Sequence, residues 1–217
     1  MDQKVILDAI KKAKSESKER KFTQRFDLVV NLQSLDFKKP EHQIDVFVHF
    51  PHSLGKKNKI CALVGPELKD EAEKVCDKTI TADDFSHYKD NKKELKKLAD
   101  EFNFFIAQAN IMPQVAMVFG RTLGPQNKMP NPKAGCVVPP KTNLKPLYER
   151  LQQTERVIAK KTPIVHTAVG NEKMDENEIV ENIASLYNQL IHSLPNEENN
   201  VKSVIVKLTM GKPVKVA

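Results

Sequence analysis

The sequence predicts a two-domain protein, an α+β domain built from both ends of the chain with an α/β domain inserted between them. Three observations carry this. From about residue 60 to 153, short apolar runs alternate with helical patterns, as in layered α/β domains with a parallel sheet. On either side, apolar residues alternate with polar ones beside an amphipathic helix. Each flank holds one helix and two or three strands, too little for a core of its own, whereas the two together form a unit of about 115 residues. The expected domains are therefore 1–53 with 156–217, and 54–155, with chain crossings near 53 and 155.

In the first flank, Val5, Ile6, Ala9, Ile10 and Ala13 have helical spacing within residues 3–19, and Lys11, Lys12, Lys14 and Lys18 occupy the other face. A basic cluster follows at Arg20, Lys21, Phe22 and Arg25. Phe26, Leu28, Val30 and Leu32 alternate as a strand. So do Ile44, Val46, Val48 and Phe50, set against Asp45 and His49. Pro51-His52-Ser53-Leu54-Gly55-Lys56-Lys57 reads as a turn or hinge.

The insert opens with Ile60 to Val64, a continuous apolar run ended by Gly65-Pro66, which fits a buried strand. Leu68, Ala72 and Val75 predict a helix, Thr79-Ile80 a short strand, and 92–100 a charged helix with Leu95, Leu98 and Ala99 inward. Phe104 to Ala107 is another buried strand. Val115, Met117, Val118 and Phe119 form a helix after Pro113, and 143–153 forms one more with Leu144, Leu147 and Leu151. In the second flank, Val157-Ile158 and Ile164 to Val169 read as strands, 176–193 as a long amphipathic helix, and Val204, Val206 and Leu208 as a last strand. Asp175, Glu176 and Glu178 open the long helix, where its dipole favours acids.

Lys and Arg total 35 against 28 acids, a net charge of +7 that points to a polyanionic partner. The charge is spread thinly. Residues 1–53 carry 10 basic and 8 acidic side chains, 54–155 carry 17 and 13, and 156–217 carry 8 and 7. Binding must come from local patches. Cys61, Cys76 and Cys136 are too few and too widely spaced for a disulfide framework or a zinc motif. With no signal peptide pattern and no apolar run of membrane-spanning length, a cytoplasmic protein is expected.

Three segments carry candidate chemistry, each with an ordinary structural reading beside it. Arg20-Lys21-Phe22 with Arg25 suits phosphate contact and packing on a base or sugar, or is a helix end with Phe22 in the core. Lys207-Leu208-Thr209-Met210-Gly211-Lys212-Pro213 can lie against a sugar-phosphate chain, with Thr209 donating to a phosphate, or is a plain strand end. Gly120 to Gly135 is dense in glycine, proline and basic residues and reads as a structured exposed loop; it has no GxxxxGK[ST] and is not a phosphate loop. The six histidines form no HxH or HExxH pair, and GxSxG and GxGxxG are absent. No enzyme, cofactor or metal is expected. A nucleotide-using enzyme, suggested by the α/β insert, is the rival reading, and the missing phosphate loop argues against it.

Taken together, the segments resemble the L-one stalk protein family of the large ribosomal subunit, in its archaeal branch. The run from Gly120, G-x-x-LGP followed by KMPNPKAG, matches the family signature. Phe50 to Lys56, Val169-Gly170-Asn171-Glu172-Lys173-Met174 and Thr209-Met210-Gly211 match further family segments in the same order. The resemblance implies that the insert is Rossmann-like and three-layered, and that a double-stranded hinge joins the domains. It implies binding to the stalk region of large-subunit ribosomal RNA, contact with deacylated transfer RNA at the exit site, and repression of the protein's own messenger RNA. A free monomer that assembles into ribosomes is expected, with no membrane partner. Carried over to this chain, the RNA contacts fall on Lys21, Phe22, Arg25, His166, Gly170, Lys173, Lys207, Thr209, Met210 and Gly211, with Arg121 and Lys128 as further RNA or interdomain candidates.

Overall fold

The computed structural model describes residues 2–216. In chain order the elements are α1 (Gln3–Ser15), β1 (Arg25–Leu32), β2 (Ile44–His49), β3 (Ile60–Val64), α2 (Lys69–Val75), β4 (Lys78–Thr81), α3 (Phe85–Asp90), α4 (Lys92–Glu101), β5 (Phe104–Gln108), α5 (Met112–Leu123), β6 (Val137–Val138), α6 (Leu144–Gln152), β7 (Thr154–Ala159), β8 (Ile164–Asn171), α7 (Glu176–His192), β9 (Val201–Leu208) and β10 (Val214–Lys215). They divide into two compact units. One runs to Lys56 and resumes at Gln153; the other is Lys57–Gln152.

The discontinuous unit is built on a four-stranded antiparallel sheet in the order β10-β9-β1-β8. Alternation decides its faces. Phe26, Leu28, Val30 and Leu32 of β1 are buried, together with Val204, Val206 and Leu208 of β9. They pack with Ile6, Ile10 and Ala13 of α1 and with Ile179, Ile183, Leu186 and Leu190 of α7 in one core. The other face of the sheet carries Asp27, Val29, His166, Ile205 and Lys207 and is partly or fully open to solvent. β2 and β7 form a separate antiparallel ribbon. On one face of it, Arg156 stacks over the Phe47 ring at 5.1 Å and reaches the Asp45 carboxylate through both Nε and a terminal nitrogen at 2.7 Å.

The inner unit has a four-stranded parallel sheet in the order β4-β3-β5-β6. Every residue of β3 is buried, as an apolar run covered on both faces must be. Cys61, Leu63, Phe105 and Ala107 point to a core made with Phe85, Leu95, Leu98, Val115 and Phe119 from α3, α4 and α5. Ile60, Ala62 and Ile106 point the other way. The cysteines are free, and burial pushes Cys76 and Cys136 up to about 11 and Cys61 higher still, so all three are poor nucleophiles.

The expected elements are present with shifted ends. α1 stops at Ser15, four residues short of the expected end. The expected loop from Gly120 to Gly135 starts later, because Gly120, Arg121, Thr122 and Leu123 form the last turn of α5. α3, β6 and β10 had no counterpart in the sequence reading; the two strands have only two residues each, too short to show a period. Among the described residues no helix is long and apolar enough to cross a membrane, and no group of three His, Cys, Asp or Glu is placed to hold a metal ion.

Candidate RNA-binding surface

The sheet register explains why segments far apart in sequence meet. β8 and β9 both run antiparallel to β1 and flank it. Both therefore end where β1 begins. Arg25 pairs with Asn171 on one side, and Phe26 pairs with Leu208 on the other. This brings the residues before β1, the loop after β8 and the turn after β9 to one edge of the sheet.

Gln24 joins the three. Its side chain is 1% exposed and fully engaged. The amide nitrogen donates to the Ser17 hydroxyl at 3.2 Å and to the Lys18 carbonyl at 3.4 Å, holding the segment after α1. The amide oxygen accepts from the Met210 backbone N–H at 3.2 Å. The Gln24 carbonyl accepts from the Glu172 N–H at 3.0 Å. A polar cleft of about 370 Å³ lies beside it, lined by Lys14, Ser17, Lys18, Glu19, Arg20, Gln24, Glu172 and Leu208.

Thr209 adds a second tie, and this changes its expected role. Its hydroxyl accepts from the Arg25 N–H at 3.1 Å and donates to the Arg25 carbonyl at 3.3 Å, while its backbone N–H donates to the same carbonyl at 3.0 Å. The hydroxyl hydrogen expected to reach a phosphate is already engaged. Thr209 fixes the turn. Gly211 closes that turn by donating to Leu208 O at 2.9 Å, and a Cβ at this position would crowd Leu208 Cβ at 3.0 Å, so a side chain here needs Leu208 to give way.

Around this frame stand the side chains that remain free. Phe22 is 50% and Met210 61% exposed, among the few large apolar residues left in solvent. Phe22 in the core, the alternative reading of the sequence, is ruled out. Lys18, Arg20, Lys21, Lys173 and Lys212 are exposed and make no ion pair among the described residues. Arg25 is exposed and pulls downward on the Glu155 carboxyl, which burial raises above its usual range. Lys207 lies on the open face of the sheet beside Asp27.

Four expected sites remain: His166, Gly170, Lys128 and Arg121. His166 is opposite Val29, about 13 Å down the strand from Arg25, on the open face with Asp27 at 3.7 Å. Gly170 is buried against Phe26, and a Cβ there would press on Ile179 and Met174 at 3.0 and 3.1 Å, so it shapes β8 from within. Lys128 belongs to the inner unit, and its ammonium donates to the Ala99 and Phe102 carbonyls at 2.6 and 2.9 Å. Desolvation lowers its affinity for the proton. It braces the end of α4. Arg121 is exposed on the last turn of α5.

The sequence reading missed Gln24, Ser17 and Glu172. The only signal was the closeness of Gln24 to Phe22 and of Glu172 to Lys173, since a buried amide bonded to a turn far along the chain leaves no local pattern.

The model of the Ribosomal protein L1p/L10e family matches residues 10–212. The chain is similar to the large ribosomal subunit protein uL1 of Thermococcus kodakarensis, 39% identical over 216 residues that cover 99% of this chain and 98% of that protein. The uL1 protein of Methanothermococcus thermolithotrophicus is 41% identical over 216 residues, 100% and 99% of the two chains. That of Nanoarchaeum equitans is 41% identical over 216 residues, 98% and 99%.

Proposed function

The chain belongs to the ribosomal protein L1p/L10e family, a family of ribosomal constituents and not of enzymes, and from that premise we propose that it is the uL1 protein of a large ribosomal subunit and binds the stalk region of its ribosomal RNA. The observation that carries the reading is the convergence at Gln24 of the 17–25, 170–173 and 207–211 segments. It makes an edge of tied backbone, with Phe22 and Met210 projecting among lysines and arginines that make no ion pair among the described residues. Cations supply salt-dependent affinity for phosphates. Exposed apolar side chains on a fixed frame supply site choice by packing on bases and sugars, which suits RNA read by shape.

In this reading the discontinuous unit holds the RNA, and the two chain crossings form a hinge carrying the inner unit. Contact with transfer RNA at the exit site and repression of the protein's own messenger RNA are parts of the same proposal, the latter using the same surface on a matching structure.

The test is a gel-shift titration with a stalk ribosomal RNA fragment. Met210→Ala and Phe22→Ala should each weaken binding about tenfold or more, the weight of one stacking or packing contact, with circular dichroism unchanged. Lys21→Ala should flatten the salt dependence by about one unit of log–log slope. Parental affinity in both apolar variants sinks the surface assignment. A chain of residues 1–56 joined by a short linker to 153–217 should fold and bind the fragment; if it folds but does not bind, the inner unit is part of the RNA site. Titrating the intact chain against its own messenger leader ranks the repressor role.

A further inference from the structure

α4 is charged in a way that its own stability does not explain. Lys92 and Lys93 stand in its first turn, where the helix dipole disfavours cations, and the Asn91 side chain makes no cap hydrogen bond there. Lys96 and Lys97 follow one turn later, so Lys92–Lys96 and Lys93–Lys97 are like-charge neighbours at i,i+4. All four are exposed, opposite the buried Leu95, Leu98 and Ala99.

The acids of the helix are answered from elsewhere. Glu101 pairs with Lys59 at 2.7 Å, Asp100 accepts from Gln126 at 2.9 Å, and Glu94 lies 3.6 Å from His87. Lys128 neutralises the carbonyl end. The four lysines have no such partner: among the described residues none makes an ion pair or a side-chain hydrogen bond. No exposed large apolar residue lies on α4. A membrane-surface helix or a protein docking face needs apolar anchors; a phosphate backbone needs only regularly placed cations.

We propose that this face of α4 is a second RNA-contacting surface, which takes the sugar-phosphate backbone of an RNA segment without regard to its sequence. The inference rests on the reading of the chain as an RNA-binding ribosomal protein and is separate from the Gln24 surface. Lys92, Lys93, Lys96 and Lys97 each approach a phosphate, and counterion release drives the contact. The bound polyanion also relieves the repulsion within the helix.

The test uses the full chain, a generic RNA duplex and the stalk fragment. Changing Lys92, Lys93, Lys96 and Lys97 together to Gln should lower duplex affinity tenfold or more and reduce the log–log salt slope by about 3. Stalk-fragment affinity should fall far less, and the low-salt melting temperature should hold or rise. The matching Lys→Arg variant should restore duplex binding. Met210→Ala, the control for the first surface, should do the opposite: it loses the fragment and keeps the duplex slope. An unchanged duplex slope in the Gln variant overturns the proposal, whatever Met210→Ala does. A melting temperature several degrees lower with intact RNA binding makes the lysines structural and overturns it too. So does tighter binding to polyglutamate or to anionic lipid vesicles than to the duplex, since that assigns the face to a protein or a membrane.

Discussion

The side-chain oxygen of Gln24 accepts the backbone N–H of Met210 at 3.2 Å, across 186 positions of sequence. The exposed Met210 side chain therefore projects from a turn set by a buried amide. Gln24→Ala frees that turn and strands the Met210 N–H. The expected cost is about 1–3 kcal/mol of stability and an RNA affinity loss as large as that of Met210→Ala. Gln24→Glu keeps the acceptor for Met210 but loses the donors to Ser17 and Lys18, and should fall between. Chemical denaturation and a filter assay on the same preparations check both. Parental RNA affinity in a folded Gln24→Ala protein would show that the tie does not matter for binding.

How much of this was legible in the sequence follows from the range of each interaction. β1 was readable because Phe26, Leu28, Val30 and Leu32 alternate, and α7 because its apolar residues keep helical spacing, both local properties of a buried face. The switch to a parallel layer was readable in the unbroken run Ile60 to Val64. The roles of polar groups were not. Thr209 reads as a hydroxyl offered to a phosphate, and Lys128 as an RNA or interdomain contact. Each is engaged inside its unit by a carbonyl that sequence spacing does not reveal, that of Arg25 for one and those of Ala99 and Phe102 for the other. Phe22 and Met210, residue types normally buried, stand in solvent, as the sequence reading of them as packing contacts for RNA requires.

Lys128 should behave as a brace. Lys128→Met keeps the length of the side chain and removes the ammonium that serves Ala99 O and Phe102 O. Hydrogen bonds to a charged group contribute about 1.5–3 kcal/mol, so the urea midpoint should drop by a corresponding amount. Binding to the stalk fragment should not change. A stable variant with weakened RNA binding would return Lys128 to the RNA surface.

Asn182 should be more sensitive than its place in the middle of α7 indicates. Its side chain is fully buried, accepts from the His52 N–H at 3.1 Å, and donates to the Val169 carbonyl at 2.9 Å and the His52 carbonyl at 3.3 Å. Asn182→Leu retains the bulk and takes the side-chain partner from these backbone groups, the bond to the Val169 carbonyl being fully buried, at a cost of about 3 kcal/mol. Asn182→Asp keeps only the acceptor and should also destabilise. Thermal melts check the order, parent above both variants; a Leu variant as stable as the parent would mean that the backbone finds other partners.

Asp45 gives the pH dependence a sign. The bidentate hydrogen bond from Arg156 holds its carboxyl well below the usual 3.8, at about 2, against the opposing effect of burial and with further help from Lys160 at 2.7 Å. Because the folded value is depressed, the contribution to stability is complete above pH about 4 and is lost as the pH falls through about 2. The carboxylate is partly solvated, so screening reduces that contribution to about 1 kcal/mol. Other carboxylates are lowered as well, Asp77 through Ile60 N–H and Lys57 against desolvation and Asp84 through Thr81, so the parent curve alone does not isolate it. The difference between parent and Asp45→Asn does. At pH 7 the variant should be less stable by about 1 kcal/mol or somewhat more, since Arg156 and Lys160 lose their counter-charge. Between pH 4 and 2 the gap should close as the parent's own Asp45 takes up its proton. Urea unfolding at a series of pH values measures it, and a gap that stays constant down to pH 2 would show that the ion pair is not what sets the titration of Asp45.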